Sequence, residues 1–158
     1  MKNIYAVMLF FIFSCSNENK NVDAGGDLQL VKDLHEAYRT NWLLNDSAKV
    51  VNLFSDNGMI VPPGYSGNPI IGHQAIGAWW FTVNADTTYP ITDFQYLRDT
   101  VNVIVDWAFG EGVSSVSWNT QVKDSVISSH QSSSNFFTLY KKEGKDWKIF
   151  RQIWNQRK

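Results

Sequence analysis

Apolar residues recur at helical intervals in the first part of this chain and at intervals of two after Tyr89-Pro90. That single change of period limits the fold to helices followed by a sheet. Leu30, Val31, Leu34, Tyr38 and Trp42 share one helical face behind Asp27, which is placed to cap it. Asn45-Asp46 breaks that helix and offers a cap for a second, short one from Ala48 to Phe54, with Val50, Val51 and Phe54 inward. Ile76, Trp79, Trp80 and Val83 then recur at i, i+3, i+4 and i+7, which predicts a third amphipathic helix. Tyr89-Pro90 closes it, because the residue before a proline disfavours the helical region.

The stretch from Leu53 to Ile76 joins the two regimes. Asp56-Asn57-Gly58 supplies residues that tolerate left-handed backbone and predicts a tight turn. Met59-Ile60-Val61 predicts a short strand, which Pro62-Pro63 stops for want of ladder donors. Gly72 opens the third helix. Beyond Ile91, Phe94, Tyr96 and Arg98 share one parity while Val101, Val103 and Val105 take the other, so a bulge is expected between Arg98 and Thr100. The next run behaves alike: Phe109, Glu111 and Val113 alternate, then Val116, Trp118, Thr120 and Val122 change parity, with Gly110 and Gly112 permitting a bend. Ser132 to Lys141 and Trp147 to Asn155, joined by the hairpin turn Glu143-Gly144-Lys145-Asp146, complete the sheet. The expected class is α+β: a conical barrel of three N-terminal helices packed on a curved, bulged antiparallel sheet, spanning residues 27–158.

Ahead of it, Met1-Lys2-Asn3 carries one positive charge and Ile4 to Phe13 is apolar, too short to span a bilayer and suited to a signal peptide over residues 1–14. Ile12-Phe13-Ser14-Cys15 resembles a bacterial lipobox. The resemblance implies cleavage before Cys15, acylation of that residue and a place in the bacterial cell envelope, at the outer membrane or periplasmic face. An ordinary secretory signal with an incidental cysteine is the other reading. Residues 15–26 are polar and aperiodic, a flexible tether. Charge excludes other partners: the net charge is −1 with 18% charged residues, which leaves no basic field for nucleic acid. One cysteine allows no internal disulfide. No glycine-rich phosphate loop, nucleophile elbow or metal-ligand spacing occurs, so neither cofactor nor metal is expected.

Asn45-Asp46, Phe54-x-Asp56, Val61-Pro62-Pro63-Gly64, Gly72-His73-Gln74-Ala75-Ile76, Asp146-Trp147-Lys148-Ile149 and Trp154-Asn155 together resemble the nuclear transport factor 2-like superfamily, and within it the SnoaL-like group. The resemblance covers Asp27 to Gln156. It implies a pocket between sheet and helices and frequent homodimers through the outer sheet face. It does not imply one chemistry: members include ketosteroid isomerases, polyketide cyclases, scytalone dehydratase and limonene epoxide hydrolase, and also association domains of calmodulin-dependent kinases.

By that resemblance Tyr38 falls at the isomerases' oxyanion tyrosine, but their general-base aspartate falls on Pro62, which has no proton to exchange. Tyr38 could donate into the pocket or simply be core. His35 precedes Tyr38 by three residues, so the two could share a helix face and act as acid and base, with Asp99 as a pocket carboxylate; a partly exposed helix histidine is the competing reading. His73 fits local capping or solvent, and His130 fits the surface. Arg151 alternates with Ile149 and Ile153: either it points inward and needs an anionic partner, or Phe150, Gln152 and Trp154 do. Arg98-Asp99 with Arg151 loosely resembles the Asp-Arg-Asp set of epoxide hydrolases. Aromatics make up 15% of the chain, seven of them tryptophans, more than a core of this size requires. Tyr38, Trp42, Trp79, Phe94, Tyr96, Trp118 and Trp154, with Arg151, are the candidates to line a site for a small apolar or cyclic molecule; Trp80 and Phe137 complete the ring set, and packing the cone is its competing duty. Three readings follow: a small-molecule-binding cone, an isomerase-, cyclase- or dehydratase-type enzyme using His35, Tyr38 or Asp99, and a dimerisation module.

Overall fold

The computed structural model describes residues 24–64, 66–81, 86–123 and 125–158. The signal peptide, Cys15, the tether up to Asp23, and Val83 lie outside the described residues.

Among the described residues, three helices lie on the hollow side of a curled seven-stranded sheet. Helix α1 (Ala24–Leu43) buries Val31, Tyr38 and Trp42, while Leu30, expected on that face, is 49% exposed. Asp27 does not cap. It lies in the first turn, 5% exposed, and accepts from Lys142 Nζ at 2.6 and 2.8 Å and from Trp147 Nε1 at 3.0 Å. Those bonds tie the start of α1 to the last hairpin and hold the carboxyl below the usual carboxylate range. Asn45 takes a left-handed φ of 52° after the helix, and its side-chain amide exchanges two hydrogen bonds with the backbone of Ile91. Asp46 caps α2 (Ser47–Asn52) by accepting from Lys49 N at 3.0 Å. This helix is shorter than its apolar pattern predicts. Phe54 is buried as the first residue of a strand, not as the end of a helix.

Strand β1 (Phe54–Val61) contains Asp56-Asn57-Gly58, and none of the three has positive φ. The predicted left-handed turn is instead a bulge, where the pairing of β1 skips from Phe54 to Met59. Glycine is required there by close approach: a Cβ on Gly58 would stand 2.9 Å from Ser55 O. Val61 ends the strand before Pro62, as the prolines dictate. After β2 (Ile70–Ile71), Gly72 starts α3 (His73–Trp80), which ends at Phe81, well before Tyr89-Pro90. Pro90 breaks an edge strand instead. It separates β3 (Thr87–Thr88) from β4 (Ile91–Ile104), and both pair with the same neighbour, β5 (Trp107–Val122).

With β6 (Ser125–Glu143) and β7 (Asp146–Gln156) the sheet runs β2-β1-β7-β6-β5, with β3 and β4 on the far edge. It is mixed and not purely antiparallel, because β1 runs parallel to β7. The bulge of β4 falls at Leu97, one residue before the expected range: Tyr96 pairs with Ser114 and Arg98 with Val113. Phe94 and Tyr96 thereby share the concave face with Asp99, Val101 and Val103, and Arg98 turns outward. Val105 belongs to the hairpin turn, with φ 55°. The parity change expected in β5 has a different origin. β5 pairs with β6 without interruption from Trp107 to Thr120, so Phe109, Glu111 and Val113 stay on the convex face throughout. Extra residues sit instead at Ile127 in β6 and Phe150 in β7.

Candidate functional site

Register identifies the concave face. Ser114, Val116 and Trp118 of β5, Ser132, Ser134, Phe136 and Thr138 of β6, and Gln152, Trp154 and Gln156 of β7 face the helices together. Between these layers lies a cavity of about 550 Å³. Helices α1 and α3 close it with His35, Tyr38, Trp42, Trp79 and Trp80; Ile91, Phe94 and Tyr96 of β4 form one side, and Pro63 and Tyr89 reach it from loops.

The rings form one connected cluster. Trp42 meets Trp80 edge-on at 5.0 Å and stacks on Phe81 at 5.0 Å; Trp80 stacks on Trp154 at 6.1 Å; Tyr38 touches Trp42, Phe54, Trp80 and Phe94. Such contacts fix ring orientation, so the wall is preorganised. Trp118 stacks on His130, whose Nε2 bonds Thr120 and Ser128 at 3.0 and 2.9 Å.

Some of the polar groups among these rings are hydrogen-bonded in pairs, while His35 Nε2 and Trp42 Nε1 are buried without a partner among the described residues. His35 is 6% exposed and stacked at 4.0 Å on Tyr96. Its Nδ1 lies 2.6 Å from the Tyr140 hydroxyl, and its buried Nε2 has only the Asp99 carboxylate nearby, at 3.6 Å. That carboxylate favours the tautomer with N–H on Nε2, so the Tyr140 O–H donates to Nδ1. Tyr38 O–H donates to Gln152 Oε1 at 3.0 Å, and Gln152 Nε2 reaches Thr138 Oγ1 at 3.5 Å. Tyr96 O–H donates to the carbonyl of His35 at 3.2 Å. Burial pushes the imidazole of His35 below its ordinary value, against the opposing pull of Asp99 and Glu36. Burial also raises the phenols of Tyr38, Tyr96 and Tyr140, which stay protonated. Proton transfer to a substrate requires an atom free to meet it; Nδ1 is engaged by Tyr140, whereas Nε2 has no hydrogen-bond partner among the described residues.

The structure therefore brings Tyr38, Trp42, Trp79, Phe94, Tyr96, Trp118 and Trp154 to one cavity, with His35 at its wall. Asp99 approaches His35 but is not part of the lining. Arg151 is absent from the cavity. The extra residue Phe150 lets Ile149 stay inward while Arg151 turns to the convex face, stacked 3.6 Å over the Phe150 ring and donating from Nη1 to the carbonyls of Asn57 and Phe150. Phe150 itself packs on Trp107, outside the cavity, whereas Gln152 and Trp154 point in. With Arg98 also turned outward, no Asp-Arg-Asp set forms. Phe137 lies on the convex face against Phe109. His73 Nε2–H donates to the carbonyl of Phe54 at 2.8 Å, a local tie between α3 and β1. The sequence reading passed over Ser114, Ser132, Ser134, Phe136, Thr138 and Tyr140, although Ser132 to Tyr140 alternate with period two. Among the described residues no three His, Cys, Asp or Glu side chains are grouped to hold a metal, and no helix is long and apolar enough to cross a membrane.

No protein-family model and no curated protein matches the sequence. Solved structures do. A proposed dehydratase of the nuclear transport factor 2-like family from Streptomyces avermitilis superposes with TM-score 0.66 at 13% identity, over 85% of this chain and 99% of its own. A ketosteroid isomerase-like protein from Erwinia carotovora atroseptica gives 0.59 at 19%, over 84% and 97%. A proposed calcium/calmodulin-dependent kinase II association domain from Exiguobacterium sibiricum gives 0.66 at 11%, over 82% and 92%. The chain has the nuclear transport factor 2-like cone fold. At these identities the likeness is one of fold.

His35 sets a pH dependence. Its folded value lies below the unfolded one, so its contribution to stability is complete above the unfolded value of about 6.5 and is lost as pH falls through it. Urea unfolding should show the midpoint falling between about pH 7.5 and about pH 5. His35→Gln should flatten that slope. Asp99→Asn removes a charge that favours the imidazolium and should extend the loss to lower pH. A wild-type midpoint constant across this window would refute the assignment.

Proposed function

We propose that this chain is a lipid-anchored protein of the bacterial envelope whose cone binds a small apolar or cyclic molecule, with no reaction assigned to it. One observation carries the binding reading: a cavity of about 550 Å³ walled by oriented rings, with a few polar groups among them, Tyr38 bonded to Gln152 and His35 bonded through Nδ1 to Tyr140. Concave, mainly apolar sites with a few convergent polar groups are the usual form of small-molecule sites. The acid–base alternative would use His35, Tyr38 and Asp99, and the unpartnered Nε2 of His35 beside Asp99 is the atom that favours it. Thermal unfolding of the full-length chain with a panel of uncharged cyclic compounds tests the reading. A true ligand at a hundred times its Kd stabilises by about 2.7 kcal/mol. Val116→Trp, which fills the cavity, should abolish the shift while the unliganded variant still unfolds cooperatively. A panel that leaves Tm unmoved sinks the proposal.

The anchor rests on the lipobox-like run ending at Cys15. In a bacterial host, the chain should incorporate a labelled fatty acid and sediment with membranes. Cys15→Ala should lose the label and leave the membrane fraction; an unlabelled wild-type chain would refute acylation.

A second copy of the chain is the partner that suits the convex face. Phe137 and Ile153, paired across β6 and β7, are 42% and 45% exposed and continue into Phe109. Sedimentation should give twice the chain mass, and Phe137→Asp should halve it. A wild-type monomer at high concentration would exclude this pairing.

A further inference from the structure

The start of α1 and two hairpin turns meet at one end of the cone. Asp27, in the first turn of α1, accepts from Lys142 Nζ and Trp147 Nε1, and the backbone N–H of Lys142 donates to the carbonyl of Asp106 at 2.9 Å. The β4–β5 turn, the β6–β7 turn and the first turn of α1 are thereby fastened together. What the β4–β5 turn exposes is apolar: Ile104, Val105 and Trp107 are 61%, 51% and 39% exposed. Trp107 stands edge-on to Phe150 at 5.3 Å, with Lys141 Nζ 6.0 Å from its ring centroid. Val105 is the first of the two turn residues and has φ 55°. Two-residue hairpin turns favour glycine or asparagine at such a position, and a β-branched residue is strained there. An exposed valine is thus kept where stability alone favours another residue.

The chain ahead of α1 bears on what covers this turn. Cys15 and Ala24 lie nine positions apart, a span of at most about 30 Å when fully extended. The opposite end of the sheet also exposes apolar residues, Val126 and Ile127. Tyr89 of the cavity lining lies towards that end, since Thr88 pairs with Gln121. β5 runs sixteen residues from one end to the other, a contour of about 50 Å. An acyl chain on Cys15 therefore reaches the Ile104–Trp107 turn directly, whereas the tether is too short to follow the sheet to its far end. The charges of the two near turns offset one another, Asp106, Glu143 and Asp146 against Lys141, Lys142 and Lys145, so attraction to anionic headgroups is not the driving force. Tryptophan beside aliphatic residues suits the boundary between headgroups and acyl chains.

We infer that the β4–β5 turn is a lipid-surface contact: Ile104 and Val105 enter the bilayer boundary, Trp107 lies at headgroup level, and the open end of the cone points away from the membrane. This rests on the acyl anchor proposed above and adds to it the contact residues and the orientation of the domain. Three apolar side chains are too few to hold a free protein on a membrane. A short tether keeps the local concentration of bilayer high, so a weak contact suffices to set the orientation. The cavity then takes its ligand from the aqueous side and not by lateral passage out of the lipid.

The acylated chain, isolated from bacterial membranes and reconstituted in phosphatidylcholine vesicles carrying a nitroxide-labelled lipid, tests this. Acylation occupies Cys15, so a thiol-reactive fluorophore reports one site in each of two variants: Lys145→Cys beside the turn, and Ser129→Cys towards the other end. The fluorophore at 145 should lose most of its emission to the nitroxide and the one at 129 almost none, equally with and without phosphatidylglycerol in the vesicles. Ile104→Thr with Val105→Asn, added to Lys145→Cys, should bring the quenching down to the level at 129. Asparagine tolerates positive φ better than valine, so the urea midpoint of that variant should hold or rise, which separates lost docking from lost fold. In the acylated chain, equal quenching at both sites, stronger quenching at 129, or quenching unmoved by the double substitution would overturn the inference alone. Self-quenching between copies labelled at 145, without loss to the lipid nitroxide, would make a second copy the occupant and overturn it too. A chain recovered without acyl groups would overturn the anchor reading and this inference with it.

Discussion

The rest of this structure depends on the close approach of two backbones, at Arg98 and Gly112. A Cβ on Gly112 would stand 1.9 Å from the carbonyl oxygen of Arg98, so the two strands can meet there only because β5 offers no side chain. The approach accommodates the extra residue Leu97, and the extra residue inverts the parity of β4. Upstream of it Phe94 and Tyr96 face inward; downstream Asp99, Val101 and Val103 do. Without the bulge, Asp99 would project from the convex side and could not stand 3.6 Å from His35. The local twist that a bulge adds also helps the sheet wrap around α1, leaving space between helices and strands.

A second bulge has the same kind of consequence for charge. In regular pairing, Ile149 and Arg151 would lie on one face, and burying Ile149 would carry the guanidinium inward. Phe150 separates them: Ile149 is buried in the core, Arg151 sits outside over the Phe150 ring, and Gln152 returns to the cavity. Two one-residue insertions thus keep Arg98 and Arg151 out of the hollow. Near its other end the sheet meets a charge that is buried, Asp27, but this carboxylate has an ammonium and an indole N–H as partners and fastens α1 to the last hairpin. Charge is tolerated where it joins elements and is excluded where the cavity lies.

What could be read from the sequence follows from this geometry. The helices and the bulge of β4 were legible because each leaves two apolar sets that only one arrangement reconciles. The bulge of β7 was not, since Ile149 and Ile153 flank Arg151 at the spacing of an unbroken strand and nothing local reveals the skip. Asp56-Asn57-Gly58 has the composition of a turn, yet β1 is held in line by β7, a partner almost a hundred residues away along the chain, and parallel pairing across that distance has no local signature. The aromatic wall was legible from ring density and helical spacing. The serine wall was not, because serine in an alternating strand reads as solvent-facing until register shows which face is hollow.

The serine wall also explains why the hollow persists. Interiors pack as densely as organic crystals, and a cone with so many large side chains could close over its own core. It is held open from both sides. Ring-on-ring contacts among Trp42, Trp80, Trp154 and Tyr38 lock the helical side into fixed orientations that cannot slump inward without breaking the stack. On the strand side, Ser114, Ser132 and Ser134 are too small to reach across, and filling the gap with apolar side chains would strand their hydroxyls. Neither wall gains by collapse, so the space between them is stable as space. A chain under no demand but stability would gain from valine at those three positions.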